Sequence, residues 1–309
     1  MSNLMKCFVA SPSITLFFEQ TMELSPTHHT VTVNGLKMHY VEIGKGPPVV
    51  LLHGFPETWY AWRHQLPILA KHYRVIAPDL RGYGETQKPS SGYDKKTMAR
   101  DILGLMHHLG IERAAVIGHD RGARVALRLA KDFPEAVSRF AALDNIPTRT
   151  IFERMNTEIA RTHWFFLFNA VQDLPEALIA GREEMWLRHI LSSWCHNPEL
   201  LTDSEIGVYV RAYSRPGALR GAFEDYRAAM ADVMQDKYDE HSLLDMPTLV
   251  LWGEDFAAGG KLWDFREVWG HYSNSLEFLS LPECGHLPHE ERPDLVNQAL
   301  LTFLAPWKG

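Results

Sequence analysis

The chain has 309 residues, room for one large domain or two smaller ones. Hydrophobic residues make up 46% and charged residues 22%, which excludes a disordered or collagen-like chain. The net charge of −7 argues against a general nucleic-acid binder, and an anionic ligand would need local arginines to overcome it. The cysteines, Cys7, Cys195 and Cys284, are few and far apart. They exclude a disulfide scaffold and a CxxC metal site, and predict a reducing, cytoplasmic location. No run of about 20 apolar residues is present, so no transmembrane helix is expected.

Residues 1–27 read as an N-terminal extension. An apolar run behind Lys6 has the outline of a secretory signal, but Pro12 and Ser13 interrupt it. Phe17-Phe18-Glu19-Gln20 also lacks the small residues of a cleavage site. Alternation over Thr30 to Val33 and Lys37 to Ile43, joined by Asn34-Gly35, predicts an antiparallel hairpin. Short apolar runs follow at Pro48–Leu52, Tyr73–Ala77, Ala114–Ile117, Phe140–Leu143 and Thr248–Trp252. Bounded by Gly and Pro, they predict strands buried on both faces of a parallel sheet. Helical spacing covers Lys95 to Leu109 and Arg121 to Phe133. Together these predict an α/β doubly wound sheet with antiparallel strands at its start. From Thr148 to Lys237 only helical patterns occur, Glu183–Trp194 and Ser204–Tyr213 among them. The expected organisation is therefore a core of residues 28–147 and 238–309, interrupted by a helical cap of residues 148–237.

The most informative stretch is Gly118-His119-Asp120-Arg121-Gly122, where a buried strand runs straight into a helix. Glycines flanking a central side chain permit a tight turn that pushes it out of the sheet, and the helix start offers free N–H groups to negative charge. This G-x-D-x-G pattern resembles the elbow of the α/β-hydrolase fold, with Asp120 where serine is usual. It is similar to the carboxylate-nucleophile branch of dehalogenases and epoxide hydrolases. His53-Gly54-Phe55-Pro56 and Cys284-Gly285-His286 follow in the order of that fold. The resemblance implies Asp120 as nucleophile, His286 as base, and the backbone N–H groups of Phe55 and Arg121 as oxyanion hole. His289 is the local competitor for the base. Two positions compete for the acid that orients the base: Asp144, which is preferred, and Asp255, one residue early in a Trp-Gly-x-x-Asp pattern that carries Phe256 instead.

An aspartate is already ionised at neutral pH and can attack an sp³ carbon directly, forming an alkyl ester that the base then hydrolyses. Arg121 and Arg124 are three apart on the helix start, so both can face one side. His119-Asp120-Arg121-Gly122-Ala123-Arg124 resembles the fluoroacetate dehalogenases, which implies that both arginines clamp a substrate carboxylate. His163-Trp164 and the Tyr226 of Glu224-Asp225-Tyr226-Arg227 match the same family, which implies that His163, Trp164 and Tyr226 donate to the departing halide. The expected activity is hydrolytic dehalogenation of short 2-haloacids, with no metal or organic cofactor, a small-molecule substrate, no nucleic-acid or membrane partner, and a homodimer by resemblance. The alternative is an epoxide hydrolase, in which Tyr226 and either Tyr209 or Tyr213 would protonate the opening ring. A distant alternative is a non-catalytic ligand-binding protein of the same fold.

Overall fold

A computed structural model describes residues 25–309. The predicted extension lies outside these residues up to position 24, and the sheet begins at Thr27. Strands β1 (Thr27–Val33) and β2 (Leu36–Ile43) form the hairpin, with Val33 opposite Leu36. Its turn sets Asn34 and Gly35 at φ 50° and 76°, the left-handed pair that a two-residue hairpin loop requires.

The remaining strands are β3 (Pro48–Leu52), β4 (Arg74–Pro78), β5 (Ala114–His119), β6 (Val137–Leu143), β7 (Thr248–Gly253) and β8 (Leu276–Leu281). They lie in the order β1-β2-β4-β3-β5-β6-β7-β8. Pairing is antiparallel for β1–β2 and β2–β4 and parallel elsewhere. Every residue of β5 is buried, as a central strand between two helical layers must be.

Strand β6 starts earlier than its apolar run suggests. Ser138 and Arg139 break the run, but Val137 pairs with Ala114, and the Arg139 guanidinium lies 5.4 Å from the Phe303 ring centre. One layer includes α1 (Lys95–His108) and α2 (Asp120–Asp132). Asp94 caps α1 by accepting from the Thr97 N–H.

Every named element between β6 and β7 is helical. These include α3 (Trp164–Ala170), α4 (Glu183–Trp194), α5 (Asp203–Tyr213), α6 (Ala218–Arg227) and α7 (Ala229–Tyr238). Helix α5 opens with a capping box between Thr202 and Glu205. On the other face of the sheet, α8 (Pro293–Leu304) buries Val296, Leu300, Phe303 and Leu304. They pack in one cluster with Val49, Leu51, Ile117 and Leu251. No helix among the described residues is long and apolar enough to cross a membrane.

Candidate active site

The turn from β5 into α2 holds Asp120 at φ 41°, a left-handed conformation that costs a non-glycine residue energy. The glycines beside it are required by space. A Cβ on Gly122 would sit 2.2 Å from the Leu52 carbonyl oxygen, and one on Gly118 would sit 2.5 Å from the Ala123 nitrogen. The turn therefore packs directly against the end of β3. There the Phe55 N–H donates to Asp120 Oδ2 at 3.2 Å, and the Asn145 side chain donates to the Asp120 carbonyl at 3.0 Å. The Arg121 N–H belongs to the first turn of α2, whose donors have no partner within the helix.

His286 follows β8 and brings its imidazole between two carboxylates. Nδ1 lies 3.0 Å from Asp144 Oδ2, and Nε2 lies 4.0 Å from Asp120 Oδ2. Burial opposes its protonation, but contact with Asp120 and Asp144 and their charges overcome this and push its pKa up to about 10. Burial likewise opposes ionisation of Asp120, yet the imidazole, then Arg124 and His119, hold it well below the usual carboxylate range. The competing acid, Asp255, is engaged elsewhere, 2.8 Å from His196 Nδ1 and 3.3 Å from Lys261 Nζ. Phe256 occupies the departure from the motif, its ring centre 4.3 Å from that of His286. The competing base, His289, lies behind the site, 3.0 Å from Glu57 Oε1.

Asp120, His286, Asp144, Arg124 and His163 line a small, tight cavity, completed by apolar residues including Phe165, Phe166 and Phe256. The two arginines part company here. The Arg121 guanidinium is fully buried and bound to Asp225 of α6, with Nε 3.0 Å from Oδ2 and Nη2 2.6 Å from Oδ1. Lys95 and Tyr83 bind the same carboxylate. The expected two-arginine clamp is thereby corrected. Asp225 takes the Nε and Nη2 of Arg121, its Nη1 has no partner among the described residues, and its guanidinium does not line the cavity. Arg124 does line the cavity. Its Nη1 donates to Thr148 Oγ1 at 2.7 Å and its Nε has no partner among the described residues. Burial, then the Arg121 charge, lower its pKa to about 10, so it remains a cation at neutral pH.

The expected halide donors also separate. His163 lines the cavity, and burial together with Arg124 lowers its pKa to about 4, leaving it neutral. Trp164 does not line it. Its ring packs against Phe168, Trp186 and His189 and is 37% exposed, because α3 turns that face outward. Trp164 is therefore removed from the donor set. Tyr226 is buried against Phe55 and Phe166, with the Arg121 guanidinium 4.4 Å from its ring centre. Its hydroxyl has no partner among the described residues. The same holds for Tyr213, whereas Tyr209 donates to Glu290 at 2.5 Å.

Sequence reading missed Asn145, Thr148, Asp225, Glu57 and His119. His119, Asn145 and Asp225 stand beside Asp120, Asp144 and Tyr226, and Glu57 lies four residues beyond His53, so these four had a motif nearby to signal them; Thr148 had none.

The family model described as the alpha/beta hydrolase fold matches residues 47–293, and the chain belongs to that family. The soluble epoxide hydrolase of Corynebacterium sp. (strain C12) is 36% identical over 291 residues, 92% of this chain and 99% of that protein. The fluoroacetate dehalogenase of Burkholderia sp. is 34% identical over 286 residues, 89% of this chain and 92% of that protein. The crystal structure of Cfl2 from Burkholderia cenocepacia superposes with a TM-score of 0.84 at 34% identity, covering 89% of this chain and 95% of that one. The protein is thus an α/β-fold hydrolase with both dehalogenases and epoxide hydrolases as relatives.

Proposed function

We propose that the protein hydrolyses short 2-haloacids, fluoroacetate among them, to 2-hydroxy acids. The observation that carries this reading is Arg124, a buried cation on the wall of a small cavity beside the nucleophile, with a donor left over. A substrate carboxylate would fill that role, and a guanidinium binds carboxylates with well-defined geometry. Asp120 attacks C2, the carbon–halogen bond breaks, and the halide leaves with the bonding pair. His286 then takes a proton from water, and the resulting hydroxide adds to the ester carbonyl, whose oxyanion faces the N–H groups of Phe55 and Arg121. Collapse releases the 2-hydroxy acid, protonated by His286, and restores the Asp120 carboxylate. Asp144 holds the imidazole throughout.

Esterification also explains how a base held protonated in the resting site becomes free to act. It removes the Asp120 charge, which is one of the groups that raise the His286 pKa.

A second reading has its own observation. Tyr213 and Tyr226 both bury hydroxyls without partners and both pack edge-on against Phe55, so they would suit protonation of an opening epoxide. The deciding experiment is halide release from fluoro-, chloro- and bromoacetate beside diol formation from a neutral epoxide. Halide release with no diol supports the first reading; diol alone replaces it with the second. The homodimer and the cytoplasmic location belong to the same proposal.

A further inference from the structure

Behind the nucleophile lies a second group of titratable side chains that the reaction does not touch. Glu57, His119 and His289 converge there, with ligand atoms within 4.8 Å of one another and all three residues at 0% exposure. Their types and spacing would suit a metal ion, but the hydrogen bonds point elsewhere. Glu57 Oε2 accepts from the Gly54 N–H at 2.7 Å and lies 2.8 Å from His119 Nδ1. His119 Nε2 lies 2.7 Å from the carbonyl oxygen of His286. A carbonyl can only accept, so Nε2 carries a hydrogen. A carboxylate can only accept as well, so Nδ1 carries the other.

We infer that His119 is a permanently protonated positioning residue, paired with an ionised Glu57, which ties the oxyanion loop, the nucleophile turn and the backbone of the base into one unit. Gly54 precedes the oxyanion donor Phe55, His119 precedes Asp120, and the accepting carbonyl belongs to His286 itself. A single ion pair therefore spans three segments that are 62 and 167 residues apart in the chain. Pairing is what makes two charges tolerable at this depth. Burial would favour neutral forms, but the charges and hydrogen bonds between the two push the His119 pKa up and hold Glu57 well down.

The fixed cation has a chemical consequence. The rings of His119 and His286 lie 4.8 Å apart, so a proton on His286 meets a like charge. Other groups also act on His286: Asp120 and Asp144 favour its proton, whereas Arg124 and His163 lie across the cavity. His119 itself faces Glu57, Asp120, His286 and His289, the last with its ring centre 4.5 Å away. In the ester, Asp120 is neutral and the repulsion from His119 remains, which favours the unprotonated base that water activation needs.

Two measurements test this. Nitrogen NMR of the wild-type imidazoles needs no variant and no substrate, so it decides the inference even where no haloacid is turned over. Both His119 nitrogens should carry protons from about pH 5.5 to 8.5. A ring with one bare nitrogen overturns the assignment, and so does a stoichiometric metal in the purified protein. The kinetic arm rests on the proposed dehalogenation and uses chloroacetate with His119→Gln and Glu57→Gln. Removing the cation directly, or removing its counter-ion so that it loses its proton, should move the acid limb of ester hydrolysis up by about one pH unit in both variants. KM should stay within about twofold, since neither residue lines the cavity. Lower kcat with an unmoved limb would reduce the pair to a packing role.

Discussion

The two walls of the cavity were built differently. On the core wall, Asp120, His286, Asp144 and the Phe55 N–H meet as their motifs suggest. On the cap wall, neighbours in sequence part. His163 enters the cavity while Trp164 faces outward, and Tyr226 is buried beside an Asp225 that has captured Arg121. The core positions are set by backbone: strand ends in a fixed order, glycine-permitted turns and ladder register. The cap positions depend on which face of a short helix packs inward, and a one-residue step rotates a side chain by about 100°.

The largest effect that tests this contrast is at the core wall. Asp120→Asn should cost halide release about 10⁴-fold or more while leaving the thermal midpoint near wild type. Retained turnover would place the nucleophile elsewhere.

Next come the two arginines, equivalent by spacing and opposite by environment. Arg124→Leu should raise KM for haloacids roughly 30- to 100-fold, the equivalent of a lost charge-assisted bond of about 2–3 kcal/mol, and spare neutral substrates. Arg121→Leu should instead destabilise the fold by about 3–5 kcal/mol, because it leaves the buried Asp225 with a partner missing. Denaturant unfolding measures that loss. A KM defect without a stability defect at Arg121 would restore the two-arginine clamp.

The pH dependence should split by step. Asp120 is held ionised far below neutrality, so single-turnover halide release should show no acid limb down to about pH 5. Hydrolysis of the ester needs neutral His286, and should fall as pH drops through the pKa that imidazole has once the Asp120 charge is gone. Rapid-quench measurement of both steps checks the split; coincident limbs would contradict it.

The smallest effect is at the outward face of the cap. Trp164→Ala should change turnover by less than about twofold and stability by about 1 kcal/mol. A large drop in fluoride release alone would return Trp164 to the cavity.

Local patterns carried much of the architecture. The hairpin was legible because Asn34-Gly35 can adopt two left-handed conformations, and the central strands because only a doubly covered sheet buries such continuous apolar runs. The nucleophile turn was legible because no residue but glycine fits at 118 and 122. Strand β6 and the pairing of Arg121 were not, since Arg139 and Arg121 look polar in sequence and are accommodated only by partners distant in the chain, Phe303 and Asp225. The choice between Asp144 and Asp255 belongs to the same category. Both stand after strands of the right kind, and only the packed sheet brings Asp144 to His286 while His196 and Lys261 take Asp255.

The fold and the nucleophile turn were thus legible in local sequence, because both follow from backbone conformation and strand order. Tertiary structure decided which charges remain available to a substrate. A side chain's charge is free or spent according to the counter-ion that folding places beside it, and Asp225 and Glu57 reach their partners only in the folded chain.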